Sequence, residues 1–218
     1  MKKNTGFGML LIAIVLLLAA CGNQTNDGGA AATPEPKPTA VNYKELYRTS
    51  VFFGDSITEG LSYHDVLNKE NVLAGAGKTA EFALMEDDVA KLADRKPEHV
   101  FIQLGSTDIL WPTENPKEYS MKQYAKLIDA IKAKLPDAAI TLLSVTPVTA
   151  EAEKLEPRYA NIADYNEGLK ALAAEKQAKY IDLTALVAEH TDLYDTDGIH
   201  FQAAFYPFLL EYLSKESK

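Results

Sequence analysis

The sequence predicts an α/β domain, in which a parallel β-sheet is covered by helices on both faces. Three observations carry this. Five short apolar runs alternate with longer segments of helical period, the order is strand then helix throughout, and the helical segments each show a single apolar stripe. Buried strands alternating with amphipathic helices pack as one layered sandwich, and neither an internal repeat nor a second folded domain interrupts the pattern.

Taken in order, the strand candidates are Ser50–Gly54, 71–74, 100–104, 139–145 and 180–183. Between the second and third lie Phe82, Met85, Val89 and Leu92, spaced 3, 4 and 3, which predicts one helix. Met121, Tyr124, Ile128, Ile131 and Leu135 give the same signal before the fourth strand, and Ile162, Tyr165, Leu169 and Leu172 give it before the fifth. A last amphipathic helix carries Phe205, Phe208 or Leu209, and Tyr212; Pro207 requires that it either begin near that residue or kink there. Ligands of such sheets bind beyond the carboxyl ends of the strands, so the loops that matter begin near Asp55, Gly75, Gly105, Thr146 and Thr184.

The first forty residues read differently. Lys2 and Lys3 precede an apolar run over 9–20, shorter than the roughly 18 residues of a membrane span. Leu18-Ala19-Ala20-Cys21 resembles the bacterial lipobox, in which the cysteine is lipidated and becomes the mature N-terminus. Residues 1–20 are thus expected to be a lipoprotein signal peptide, 21–41 a flexible tether rich in Gly, Asn, Ala, Thr and Pro, and 42–218 the folded domain. Cys21 is the only cysteine, so no disulfide is available. Loss of residues 1–20 leaves 20 Lys and Arg against 31 Asp and Glu, a net −11. That acidity argues against nucleic acid or anionic lipid as a surface partner, and leaves the lipid on Cys21 to hold the domain at the extracytoplasmic face of the cell membrane.

In VFFGDSITEG, residues 51–60, Ser56 follows a strand directly. Such a serine is commonly an N-cap, and Asp55 is equally suited to that task. A serine hydroxyl becomes a nucleophile only beside a base. Asp197-Gly198-Ile199-His200 supplies one: an aspartate three residues before a histidine folds back across a glycine to meet the imidazole N–H, which leaves the other ring nitrogen free to take a proton. His64, His99 and His190 read as structural or exposed. Gly75-Ala76-Gly77-Lys78-Thr79 opens a helix, so its backbone N–H groups are suited to a developing oxyanion. It is not a phosphate-binding P-loop, because Val72 stands where that motif needs its first glycine.

These four stretches, GDSITEG, the glycine-bearing second loop, GSTD at 105–108 and DGIH at 197–200, resemble in order and placement the SGNH or GDSL family of serine esterases. IQLGSTD, SVTPV, the Tyr165-Asn166 pair and YIDL are also family-like, and the resemblance covers the chain from about residue 50 onward. It implies a three-layer, flavodoxin-like α/β/α sandwich whose five parallel strands run in the order 2-1-3-4-5. It also implies that Ser56 is the nucleophile, His200 the general base and then acid, and Asp197 its orienting group. The oxyanion donors would be the N–H groups of Ser56 and Gly77, with Gly75 as the rival for the second, and no metal or cofactor is required.

The third block departs from the family's GxND. Thr107 stands in place of the asparagine that is the third donor, and Ser106 offers a second hydroxyl in the same turn. Loss of one such donor costs about 2.7 to 4 kcal/mol, so reduced activity is expected. The leading expectation is therefore an esterase that cleaves acetyl or other short acyl esters with a weakened oxyanion hole, on small molecules or on an acylated envelope polysaccharide. Trp111, Pro112 and the loop over 146–158 are expected to shape its acyl or sugar site. The family also includes acyltransferases, in which an alcohol replaces water. The rival expectation is a binding module that keeps Ser56 and His200 but mainly holds an acylated glycan or a partner protein.

Overall fold

The computed structural model describes residues 41–217; the expected signal peptide, lipidated Cys21 and nearly all of the tether lie outside the described residues. In chain order the elements are α1 (Tyr43–Leu46), β1 (Ser50–Gly54), α2 (Ser56–Tyr63), β2 (Val72–Ala74), α3 (Ala80–Met85), α4 (Asp88–Asp94) and β3 (His99–Gln103). They continue with α5 (Pro116–Lys134), β4 (Ala139–Leu143), α6 (Ala150–Leu155), α7 (Ile162–Glu175), β5 (Lys179–Ile181), α8 (Thr184–Glu189) and α9 (Phe205–Glu216). All strand pairs are parallel and the order is β2-β1-β3-β4-β5, as the resemblance implies.

Period-two alternation sorts the strand residues onto two cores. Val51, Phe53, Val100, Ile102, Ile140 and Leu142 face α5 and α7, where Tyr124, Ile128, Ile131, Leu169 and Leu172 form the expected stripes. Phe52, Phe101, Leu143 and Ile181 face the opposite layer, built from α2, α8 and α9. Both faces are covered, and β1 is accordingly buried along its whole length, with Val51, Phe52 and Phe53 apolar in succession. Gly60 on α2 lets α9 approach closely: a Cβ there would overlap the Tyr206 hydroxyl, which donates to the Ile57 carbonyl at 3.0 Å.

Two helices differ from expectation. The stripe Phe82-Met85-Val89-Leu92 is not on one helix, because Asp87 adopts φ +59 and separates α3 from α4. Phe82 and Met85 consequently face outward, while Ala80, Ala83 and Leu92 take the buried positions. At the C-terminus, α9 begins at Phe205, so Pro207 is its third residue and forfeits only an N–H that has no partner inside the helix anyway. Leu209, not Phe208, points inward.

Behind the carboxyl ends of the strands, a buried polar chain ties the layers together. Asp108 Oδ1 accepts the Ala80 N–H at 3.3 Å and the Ser120 hydroxyl at 2.8 Å, and Ser120 in turn accepts from the Tyr165 hydroxyl at 2.5 Å. One carboxylate thereby joins the start of α3, the loop after β3, and helices α5 and α7. Its Oδ2 is buried and has no hydrogen-bond partner among the described residues. Burial raises the Asp108 carboxyl to about 6; its hydrogen bonds to Ser120 and Ala80 oppose the rise, and the neighbouring charge of Asp55 adds to it. Asn166, also buried, binds the Val145 N–H and C=O, each at 2.9 Å, and fixes the end of β4.

The raised Asp108 value has a thermodynamic consequence. The native state holds this proton more tightly than the unfolded chain, so Asp108 contributes stability at low pH that is lost as pH rises from about 4 through 6. Asp108→Asn removes that dependence whatever its own structural cost. Urea unfolding should show the stability of the variant relative to wild type rising by about 2 kcal/mol between pH 4 and 7. A difference that stays flat across this range would mean that Asp108 titrates normally.

Candidate active site

The loop after β1 begins with Asp55, which is 1% exposed. Its Oδ1 accepts the Ile57 N–H at 3.1 Å and so caps α2. Its Oδ2 accepts the Ser106 hydroxyl at 2.5 Å. Burial raises the Asp55 carboxyl, and the bonds from Ser106 and Ile57 counter that rise. Ser56 is therefore released from capping. It is the first residue of α2, where its own N–H has no acceptor within the helix, and its hydroxyl lies 2.8 Å from His200 Nε2.

The second half of the site comes from the turn before α9. His200 Nδ1 lies 2.5 Å from Asp197 Oδ2, while Asp197 Oδ1 accepts the N–H groups of Ile199 and His200, both at 2.9 Å. Burial works to raise the Asp197 carboxyl, but the His200 ring and those two N–H groups outweigh it, and the net shift is downward. An ionised Asp197 holds Nδ1–H and leaves Nε2 to face the serine hydroxyl. Gly198 makes the fold-back at φ +69, a region that a side chain rarely occupies, and a Cβ there would also overlap the Thr149 hydroxyl. The turn is anchored at several points: Tyr194 bridges Phe201, the Asp195 N–H reaches the His200 carbonyl at 2.7 Å, the Thr149 N–H reaches the Gly198 carbonyl at 2.9 Å, and the Tyr194 hydroxyl reaches the Pro147 carbonyl at 2.7 Å.

The second loop discriminates between its two glycines. The Gly75 N–H is taken by the Gly54 carbonyl at 3.3 Å, whereas the Gly77 N–H makes no backbone hydrogen bond among the described residues, at an exposed position of φ +72. Thr79 caps α3 by accepting the Phe82 N–H at 3.1 Å. Lys78 serves the fold: it pairs with Glu86 at 2.6 Å and with the buried Asp88. Although burial disfavours its charge, those two carboxylates raise its pKa.

In the third block, Thr107 is half-buried and its side chain does not cap the short 3-10 turn Asp108–Leu110 that follows. Ser106 is no substitute donor, because its hydrogen is directed to Asp55. Trp111 packs edge-on against Phe82 at 5.3 Å and parallel to Tyr119 at 6.4 Å. Arg158 from the long fourth loop donates to the Leu110 carbonyl at 2.8 Å and pairs with Glu156 at 2.7 Å, which joins that loop to the third.

Of the other histidines, His99 meets the Thr141 hydroxyl at 2.8 Å and His190 stacks on Phe208 at 4.1 Å. His64 packs edge to face on Tyr63. Besides packing on Tyr206, it lines a cleft of about 350 Å³ that reaches Ser56 and His200, together with Glu59, Tyr63 and Asp195. The sequence carried a signal for the α2 part of this wall, since 56, 59, 60 and 63 share one helical face. It carried none for Asp195.

Residues 52–207 match the model of the GDSL-like lipase/acylhydrolase family. No curated protein matches the chain significantly. Among solved structures, a GDSL-like lipase from Bacteroides thetaiotaomicron superposes with TM-score 0.62 at 17% identity, covering 81% of this chain and 91% of its own. An acetylxylan esterase from Geobacillus stearothermophilus gives 0.54 at 19% identity, over 76% of this chain and 92% of its own. A peptidoglycan O-acetylesterase gives 0.58 at 14% identity, over 67% of this chain and 45% of its own. At such identities the likeness of structures speaks for the fold, which agrees strand for strand in order and direction with the resemblance drawn from GDSITEG, GSTD and DGIH. With the family model spanning most of the folded residues, the chain belongs to the GDSL-like lipase/acylhydrolase family.

Proposed function

We propose that the chain is a serine esterase in which Ser56 attacks, His200 carries the proton and Asp197 orients the histidine. Ester hydrolysis as a class follows from the family. The assignment of residues rests on one observation, the continuous relay from Ser56 Oγ to His200 Nε2 at 2.8 Å and from His200 Nδ1 to Asp197 at 2.5 Å. As Ser56 Oγ bonds to the acyl carbon, its proton passes to Nε2 and the carbonyl oxygen becomes an oxyanion. Collapse breaks the bond to the alcohol oxygen, which takes the proton from Nε2 and leaves as the alcohol. Water then repeats the sequence on the acyl-serine, releasing the carboxylic acid and restoring the hydroxyl.

The oxyanion is held by the N–H groups of Ser56 and Gly77. Gly77 is preferred to Gly75, whose N–H is already engaged. Thr107 contributes at most one hydroxyl where the family has an amide, so turnover is slow relative to a complete oxyanion hole. The acyl group is short, acetyl or similar, and the substrate an acylated glycan of the cell envelope. That choice is supported by the acetylxylan and peptidoglycan O-acetyl esterases among the similar structures and by the lipobox-like sequence before Cys21. We place the domain at the outer face of the membrane, tethered through lipidated Cys21.

A fluorophosphonate should label Ser56 in the folded protein, and Ser56→Ala should lose both the label and aryl acetate hydrolysis; a folded wild type that takes no label would exclude the esterase and leave the binding module. Thr107→Asn should raise kcat by about tenfold or more by restoring a donor, and an unchanged or lower kcat would count against the oxyanion assignment. For the anchor, Cys21→Ser should move the protein from the membrane to the soluble fraction; equal partition of wild type and variant would remove the proposed tether.

A further inference from the structure

The direction of proton transfer divides the site. The leaving alkoxide must collect its proton from His200 Nε2, so the alcohol portion of the ester lies on the histidine side of Ser56, away from the oxyanion donors. On that side lies the cleft of about 350 Å³, and its walls have a distinct chemistry. Glu59 and Tyr63 project from the same face of α2 as Ser56, and Asp195, on the turn that carries His200, lines the same cleft. Tyr63 is 81% exposed, with His64 packed edge to face against it at 5.0 Å. Its ring therefore presents an open apolar surface at the cleft. Among the described residues no Lys or Arg lines the cleft.

We infer that this cleft is a leaving-group subsite for a neutral sugar ring, with Tyr63 as the platform and Glu59 and Asp195 as hydroxyl acceptors. The apolar C–H face of a pyranose suits an aromatic ring, and its hydroxyls are the donors that two acceptor-only carboxylates need. The same two carboxylates repel a phosphate-bearing alcohol and are desolvated without compensation by an alkyl chain. The subsite thus selects glycan esters over glycerophosphate and long-chain alcohol esters. It rests on the esterase and glycan reading above and adds to it the place and the residues that hold the sugar.

The test uses the folded chain with four substrates: an acetylated methyl xyloside, acetylated glycerol phosphate, ethyl acetate, whose leaving group is too small to reach Tyr63, and an aryl acetate as the general esterase probe. Wild type should favour the xyloside over the glycerol phosphate ester. Tyr63→Ala should lower the ratio of xyloside to ethyl acetate kcat/KM by about tenfold, mainly through KM, and Glu59→Lys should shift the ratio of xyloside to glycerol phosphate ester by about tenfold toward the phosphate. Tyr63 is exposed and Glu59 half-buried, and unchanged circular dichroism shows that the variants fold. Aryl acetate turnover by wild type with both ratios unmoved in the variants, or a wild-type preference for the phosphate ester, overturns the subsite alone. Absence of aryl acetate turnover together with an unlabelled Ser56 overturns the esterase reading, and the subsite with it.

Discussion

A buried carboxylate at residue 55 decides what its neighbour is free to do. One oxygen of Asp55 closes the start of α2 and the other receives the Ser106 hydroxyl from the loop after β3. Taking a carboxylate out of water is costly, and these directed donors offset much of that cost. The return is positional. The helix is capped without Ser56, the ends of β1 and β3 are held at a fixed separation, and the Ser56 hydroxyl is left to meet His200. Were Ser56 the cap, its oxygen would turn inward to an N–H of the first turn and the relay would have no first member.

The same device recurs around the site on other loops. Asp108 joins the second loop to the third through the Ala80 N–H, Asn166 holds the end of β4 through both polar groups of Val145, and Tyr194 ties the histidine turn to Pro147. Each loop that faces substrate is thus fastened from behind by a polar group of another element. Loops held this way keep donors and acceptors aimed without reorganisation as charge develops.

Much of this was legible in the sequence, and the exceptions have physical causes. The first strand was placed to the residue because Val51-Phe52-Phe53 is buried on both faces and Gly54-Asp55 ends it chemically. The stripes of α5 and α7 were legible because each spans several turns. The α3–α4 stripe misled because its spacing survived a break at Asp87, where a left-handed residue resets the helical phase. Motif order brought Ser56, Asp197 and His200 to the same edge of the sheet. No periodicity reported that Ser106 is spent on Asp55, that the Gly75 N–H is occupied, or that Asp195 and Tyr63 line one cleft. Those facts belong to loops from different strands, and only the packed sheet sets them beside one another.

Ser56 and His200 are 144 residues apart, and their meeting depends on a turn that is itself fastened to the loop after β4. Contacts of that span are late and entropically expensive in a parallel sheet, which has no hairpin by which to form early. A partly folded chain therefore carries Ser56 without His200 beside it. On the proposed mechanism the hydroxyl becomes competent only when the turn before the C-terminal helix has docked, so chemistry and completed folding would arrive as one event.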